Sequence, residues 1–521
     1  MEYGFVTGFI GYLVALGALG AWFYKKSAST HDYSLGGRSL GYWTTAIAAH
    51  ASDMSIWMFM GLPAAAYTTG MKSIWIPLGL VTGMFITWKI IAQPLRLATE
   101  KYKSETLSTF FEKRFEDTAG HVRLLSAFFS LWFFTFYISS GLVGMGYLFE
   151  SALHVDYHYG IVLGLLIIIS YTFLGGFAGI AQSHLFQGIF LITMMVLVPA
   201  LVFFSLPTGS SLSELAATHG ISLSFIPSHF SALIGSLILA ISWGMGYFGQ
   251  PHILVNFMGI KDPEAVPKAM RIGMIWQLFT QGASVIIGLL GIAYFVTPLA
   301  DAQLVLITMV QTIFPAVFAG AILCAIVAAG LTTIATQTLV ATATITNDLY
   351  KNFINPTAST KKLRSISHYA LVSIPLLSFA IAFTKDSTVY SLVEYAWNGL
   401  GATFGPAVIA ALYLPRATAK GIMYGMIAAG TIVSNAPLSL LWLYPANFTT
   451  LDYFPLLPWF GLMALGIYCG NLWAGRKAVA PARSARGICF LGRHSLAIYV
   501  IHQPILIVIL FASGIHIPII V

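Results

Sequence analysis

Charge is what this 521-residue chain has least of: Asp, Glu, Lys and Arg together make up 8% of it. A soluble domain carries about 25% charged residues, so a solvated surface all round is excluded and lipid must cover most of the molecule. Cysteine is also scarce. Cys324, Cys469 and Cys489 lie in or beside apolar runs with no paired spacing, which argues against a disulfide framework or a metal knuckle. No nucleotide loop is complete, because GGRSLG (36–41) lacks the Gly-Lys-Ser/Thr ending. His154, Asp156 and His158 could hold a metal only as one short loop segment, and no metal is expected there. No Ser-His-Asp order for nucleophilic catalysis stands out.

Long apolar runs are abundant. Hydrophobic residues make up 58% of the chain, the mean hydropathy is +0.82, and the length leaves room for about a dozen spans of roughly 20 residues. The runs predict helices near 4–24, 40–67, 73–93, 124–149, 158–174, 178–206 and 229–255. Further ones follow near 272–297, 313–347, 366–384, 388–413, 419–443, 454–475 and 488–518. The first lacks a cationic leader and a small-residue cleavage site, so it reads as a retained helix.

The net charge of +8 would suggest nucleic acid for a soluble protein. Topology accounts for it instead. With the N-terminus outside and the connectors alternating, all but Lys72 and Lys385 of the 26 basic residues fall on the inner side, as the positive-inside rule requires. No nucleic-acid partner is needed, and no obligate protein partner is evident. The mixed-charge connector 94–121 predicts a surface helix over Ser104 to Phe111.

Ionisable groups deep in apolar runs carry a penalty of at least a few kcal/mol, which makes them candidates for function. Asp53 sits in AHASDMSIWMFMGLP (49–63), among small residues and ahead of Gly61 and Pro63. A helix broken there would expose carbonyls and a half-helix end to a cation and a carboxylate-bearing solute; an Asp paired with a neighbouring helix fits the spacing equally well. The run 328–350 places Thr332 and Thr336 four apart on one face, with Thr333 and Thr338 nearby. Those oxygens suit sodium, although close helix packing uses the same small and hydroxyl residues. In SWGMGYFGQPHIL (242–254), Trp243 and Tyr247 share a face and Pro251 follows a Gly-rich stretch, which fits a solute platform or a structural kink.

The strings DYSLGGRSLG (32–41), ASDMSIWMFMGLP (51–63), RFED (114–117), FFTFYISSG (133–141), YTFLGGF (171–177), GYFGQPHIL (246–254) and ITNDLYK (345–351) resemble the sodium/solute symporter family, and within it the proline-transporting branch. The resemblance implies an all-α multi-pass membrane protein with an inverted five-helix-repeat transporter fold: thirteen helices, plus one extra C-terminal helix. It implies a co-transported sodium ion held by the carbonyls of Ala51, Met54 and Ala329 and the hydroxyls of Thr332 and Thr333, with Asp53 tied to sodium affinity. Ser55 and Trp57 would link ion and solute. Tyr137, Trp243, Tyr247 and Pro251 would line the solute pocket, with Ile56 beside it.

Three positions depart from the branch. Ile56 stands where it has Gly, His184 where it has an Asp associated with ion movement, and Thr332 where it has Ser. The tail differs more: 452–470 and 491–507 resemble the last helices of membrane acyltransferases related to heparan glucosaminide acetyltransferase. The expected organisation is therefore a symporter domain over 1–445 and acyltransferase-like helices over 446–521. The expected function is sodium-driven uptake of a small solute, proline first, across a bacterial inner membrane. Sodium- or proton-coupled uptake of another small amino acid or an organic acid is the alternative. A membrane acyltransferase is the competing class, but 1–420 lacks a catalytic constellation for it. A transporter-like sensor would need a signalling domain larger than these connectors.

Overall fold

The computed structural model describes residues 6–12, 14–15, 36–206 and 211–434. Among them the only β pairing is a bridge between Leu40 and Ile260; the rest of the architecture is helical. Helix α1 (Tyr42–Asp53) breaks, and a 3-10 turn (Ile56–Met58) leads into α2 (Gly61–Thr69). Helix α3 (Trp75–Thr87) passes through a π turn into α4 (Gln93–Lys101). Then come α5 (Leu107–Arg114), α6 (His121–Leu153) and α7 (Tyr157–Phe204). A short α8 (Leu212–Thr218) precedes α9 (Phe230–Gly246), which breaks before α10 (Pro251–Met258). Helices α11 (Val266–Tyr294), α12 (Val305–Ile313) and α13 (Ala316–Ala343) follow, the last running into a π-helical extension (Thr344–Ile354). Helices α14 (Thr360–Ala382), α15 (Val389–Tyr413) and α16 (Ala419–Ser434) complete the described chain.

The continuous helix α7 cannot be straight. Twelve residues of α-helix rise about 18 Å, yet the Tyr171 and Ser183 hydroxyls are hydrogen-bonded. It therefore works as two apolar arms, Tyr157–Phe173 and Ser183–Phe204. Two groups of five spans then emerge. The first opens on the broken pair α1–α2 and the second on the broken pair α9–α10, which is the element order of an inverted repeat. Seven described helices are long and apolar enough to cross a membrane. The expected helices at 454–475 and 488–518, and the 446–521 segment as a whole, lie outside the described residues.

Each break has a local cause. After α1, the Ser55 amide turns to the Asp53 carbonyl (2.9 Å) rather than continuing the helical ladder, and the Ser55 hydroxyl caps Trp57 N (3.2 Å). After α9, Gln250 is extended and Pro251 opens α10 at the one position where its missing N–H costs nothing. Close helix contacts are set by glycine. A Cβ on Gly79 or Gly83 of α3 would run into the backbone of Ala240 or Gly244 on α9.

One end of the bundle is knitted by basic side chains donating to backbone carbonyls. Arg38 reaches Met258 O (3.1 Å) and Ser104 O (3.0 Å), Arg96 reaches Ile260 O (2.7 Å), and Arg114 reaches Ala411 O (2.8 Å). At the other end Lys385 pairs with Glu150 (2.7 Å). The connector helix departs from expectation: it starts at Leu107 and is embedded rather than lying on the surface. Phe110 and Phe111 are fully buried. Its N-cap Thr106 and its Thr109 both donate to Asp348 (2.8 Å each), on the π-helical end of α13. His158 uses its ring nitrogens on Asp156 (2.9 Å) and the Phe383 carbonyl (3.2 Å).

Candidate functional site

The α1 break meets α13 in the middle of the bundle. At the end of α1, the Ala51 carbonyl is met by the Thr332 hydroxyl at 2.8 Å, and the same hydroxyl lies 2.9 Å from the Ala329 carbonyl. A hydroxyl has one proton, so two carbonyls share it and the spot holds more oxygen lone pairs than donors. Thr333, the next residue, is buried and its hydroxyl has no hydrogen-bond partner among the described residues. Met54 stands at the break itself, with its sulfur 3.0 Å from the Thr280 hydroxyl. Ala51, Ala329 and Thr332, far apart in sequence, are thus in one place, with Thr333 adjoining.

Asp53 turns the other way. Its carboxylate accepts from the Tyr247 hydroxyl at the α9 break, and Tyr247 accepts from Gln277 Nε2 (3.0 Å) on α11. The carboxyl is 8% exposed and fixed by this chain of donors, so the Asp joins the two broken helices rather than joining α1 to α13.

Above Asp53 lies a narrow cleft bounded by Trp57, Tyr137, Trp243, Tyr247, Gln281 and Trp397, with about 10 Å³ of free space. That is about one water's worth, so admitting a solute the size of an amino acid requires its walls to part. The walls are aromatic. Trp57 and Trp243 lie 5.2 Å apart, Trp243 and Trp397 6.1 Å, and Tyr247 meets Trp397 edge-on at 4.9 Å. Trp397 Nε1 donates to the Trp243 carbonyl (3.0 Å), and Gln250 donates to the carbonyls of Gly246 and Trp397 (3.1 Å each). The α9 break is therefore bolted to α15.

Of the sequence-derived solute residues, Trp57, Tyr137, Trp243 and Tyr247 line this cleft and Ser55 caps the turn behind it. Ile56 does not face it. Its fully buried side chain fills the space that Gly144 on α6 and Gly330 on α13 leave open, so the extra bulk is absorbed by two glycines instead of reshaping the cleft. Pro251 lines a separate hollow with Thr106, Ser130 and Thr344. His184 is 1% exposed, and neither ring nitrogen has a partner among the described residues. Sequence reasoning missed Gln277, Gln281, Tyr390 and Trp397. The last two were legible as the seven-residue repeat of aromatics in YSLVEYAW (390–397), where Tyr390 reaches both Trp57 (6.5 Å) and Trp243 (6.0 Å).

Comparison with known proteins identifies the family and the fold. The family model "Sodium:solute symporter family" matches residues 33–429, and "Heparan-alpha-glucosaminide N-acetyltransferase, catalytic" matches 404–504. The high-affinity proline transporter PutP of Bacillus subtilis is 39% identical over 432 residues, covering 81% of this chain and 90% of that protein. The osmoregulated proline transporter OpuE of the same organism is 35% identical, covering 91% and 95%. The sodium/proline symporter of Staphylococcus aureus is 37% identical, covering 82% of each. Among solved structures, a Na+-coupled sialic acid symporter superposes with TM-score 0.72 at 17% identity, covering 90% of this chain and 97% of that one. MhsT in complex with L-phenylalanine gives 0.53 at 16%, covering 83% and 98%. These last two establish the inverted-repeat transporter fold. A multi-pass membrane body, two broken helices meeting at its centre, and a family match spanning 33–429 together place the chain in the sodium:solute symporter family.

Proposed function

We propose that this protein is a sodium-coupled symporter that imports a small zwitterionic solute, proline first, by alternating access. The observation that carries the reading is the lone-pair surplus around Thr332: two carbonyls share one hydroxyl proton, and an unpartnered Thr333 hydroxyl adjoins them. A hard monovalent cation resolves that surplus, with Ala51, Met54, Ala329, Thr332 and Thr333 as its oxygen donors. Asp53 acts one step away, holding Tyr247 and hence the aromatic cleft in register with the ion seat. Names of relatives support proline, and the aromatic cleft suits a compact ring.

The driving force is sodium moving down its gradient, about 2.3 kcal/mol per charge per 100 mV before the concentration term. Coupling requires that sodium favour the solute-competent state, because only differential affinity shifts a conformational equilibrium. An ion at Thr332 tethers α1 to α13 and so fixes the segment that positions Trp57. The basic end of the bundle, around Arg38, Arg96 and Arg114, supports an orientation facing the cytoplasm, with the N-terminus outside and the protein in a bacterial inner membrane. The acyltransferase-like match overlaps α15 and α16, which pack into the symporter body; Gly430 meets the ring of Phe129. We take 446–521 as an appended segment.

Uptake of labelled L-proline into proteoliposomes tests the reading. An inward sodium gradient should raise initial uptake about 10-fold or more over potassium at equal ionic strength. Uptake driven equally by a proton gradient alone, or by no ion, would overturn sodium coupling.

A further inference from the structure

Helix α15 places Tyr390, Val393, Glu394 and Trp397 at i, i+3, i+4 and i+7, one continuous stripe of a helix. Val393 and Trp397 line the cleft, and Tyr390 lies against Trp57 and Trp243. Glu394 therefore flanks the cleft on the same face. The next residue, Tyr395, packs on Phe133 and Phe136 of α6, so the α6 side of α15 is taken by another residue.

Glu394 differs from the other acidic groups deep in the bundle. Asp53 accepts from Tyr247 and Asp348 from Thr106 and Thr109. Glu394 makes no hydrogen bond or ion pair among the described residues, and it stays partly exposed while Val393 and Trp397 beside it are buried. A carboxylate in such a place carries a desolvation penalty that something must offset. No described residue does so.

We propose that Glu394 and the faces of Trp57, Trp243 and Tyr390 form a subsite for the cationic nitrogen of the solute. A carboxylate beside several aromatic faces is the arrangement that binds secondary and quaternary ammonium groups, by charge pairing and cation–π attraction. The subsite refines the solute class proposed above and rests on that reading. Solutes carrying a positive nitrogen are accepted, and organic acids without one are repelled by the same carboxylate. Sodium is the other available cation, and the test separates the two.

Glu394→Gln in the full chain keeps the side chain's shape and removes its charge, leaving one acceptor oxygen and an amide donor. For labelled proline in proteoliposomes, its KM should rise about 10-fold, the loss of one charge contact of about 1.4 kcal/mol, with half-activation by sodium unchanged. Wild-type uptake should be inhibited by N-methylproline and N,N-dimethylproline and not by tetrahydrofuran-2-carboxylate, in which oxygen replaces the ring nitrogen. Tryptophan fluorescence of the purified protein reads cleft occupancy without transport. There the nitrogen compounds should change the wild-type signal and leave the variant's weakened, while the oxygen analogue changes neither. Failed uptake with an intact fluorescence pattern counts against symport and for the subsite. An unchanged KM, a sodium half-activation shifted by the same factor as KM, or equal binding of the oxygen analogue would overturn it.

Discussion

Thr333→Val leaves the fold intact and abolishes sodium drive. The Thr333 hydroxyl is buried and has no partner among the described residues, so an isosteric methyl breaks no hydrogen bond. Removing an unsatisfied buried polar group is neutral or slightly stabilising, and the melting temperature should hold or rise. If that hydroxyl ligates the ion, its loss should raise the sodium concentration for half-activation by about 100-fold, at the upper end of the penalty for losing even a supporting contact to a metal site. Thr333→Ser, which restores the oxygen, should recover most of the affinity. Stability and ion dependence moving in opposite directions is the signature. A Thr333→Val protein with normal sodium activation would remove this residue from the ion site.

Gly83→Val is expected to abolish folding instead. Gly79 and Gly83 are four apart on α3, and both face α9 so closely that any side chain would enter the main chain of Ala240 and Gly244. Small residues at this spacing let membrane helices approach backbone to backbone, where dispersion replaces the missing hydrophobic drive. Forcing α9 outward would also pull Trp243 and Tyr247 off the cleft, since α9 carries Trp243 and Tyr247 opens the 3-10 turn directly after it. A destabilisation above about 4 kcal/mol follows from that overpacking, and monodisperse protein should be lost from detergent extracts. Gly282→Ala is the control, because nothing lies within 4 Å of a Cβ there. Normal yield and melting for Gly83→Val would refute the contact.

Much of this architecture could be read from the chain because its interruptions are written in glycine, proline and charge. Asp53 with Gly61 and Pro63, and Gly246–Pro251, mark both interruptions in the sequence itself. The meeting of Ala51 with Thr332 came from resemblance; spacing alone favoured helix packing, for which small and hydroxyl residues at that interval are well suited. Other features depend on neighbours remote in sequence. Ile56 looked like an intruder in the solute site because the glycines that house it, Gly144 and Gly330, lie on two other helices. The helix after Thr106 looked like surface because its charges are visible in the sequence and its latch, Asp348, is more than two hundred residues away. Glu394 carries no sequence signal of its own; its place beside the cleft follows from Val393 and Trp397, which line it on the same helix face.

Thr332 and Asp348 share one uninterrupted rod, α13 with its π-helical extension. Sixteen residues of helix set them about 24 Å apart. The rod is a lever: pivoted at the proposed ion seat, a tilt of a few degrees would sweep its far tip by an ångström or two. That is enough to strain the pair of threonine hydroxyls gripping Asp348 and to loosen the short helix they anchor. A displacement too small to notice at Thr332 would thus arrive, magnified, at the Asp348 end of the helix.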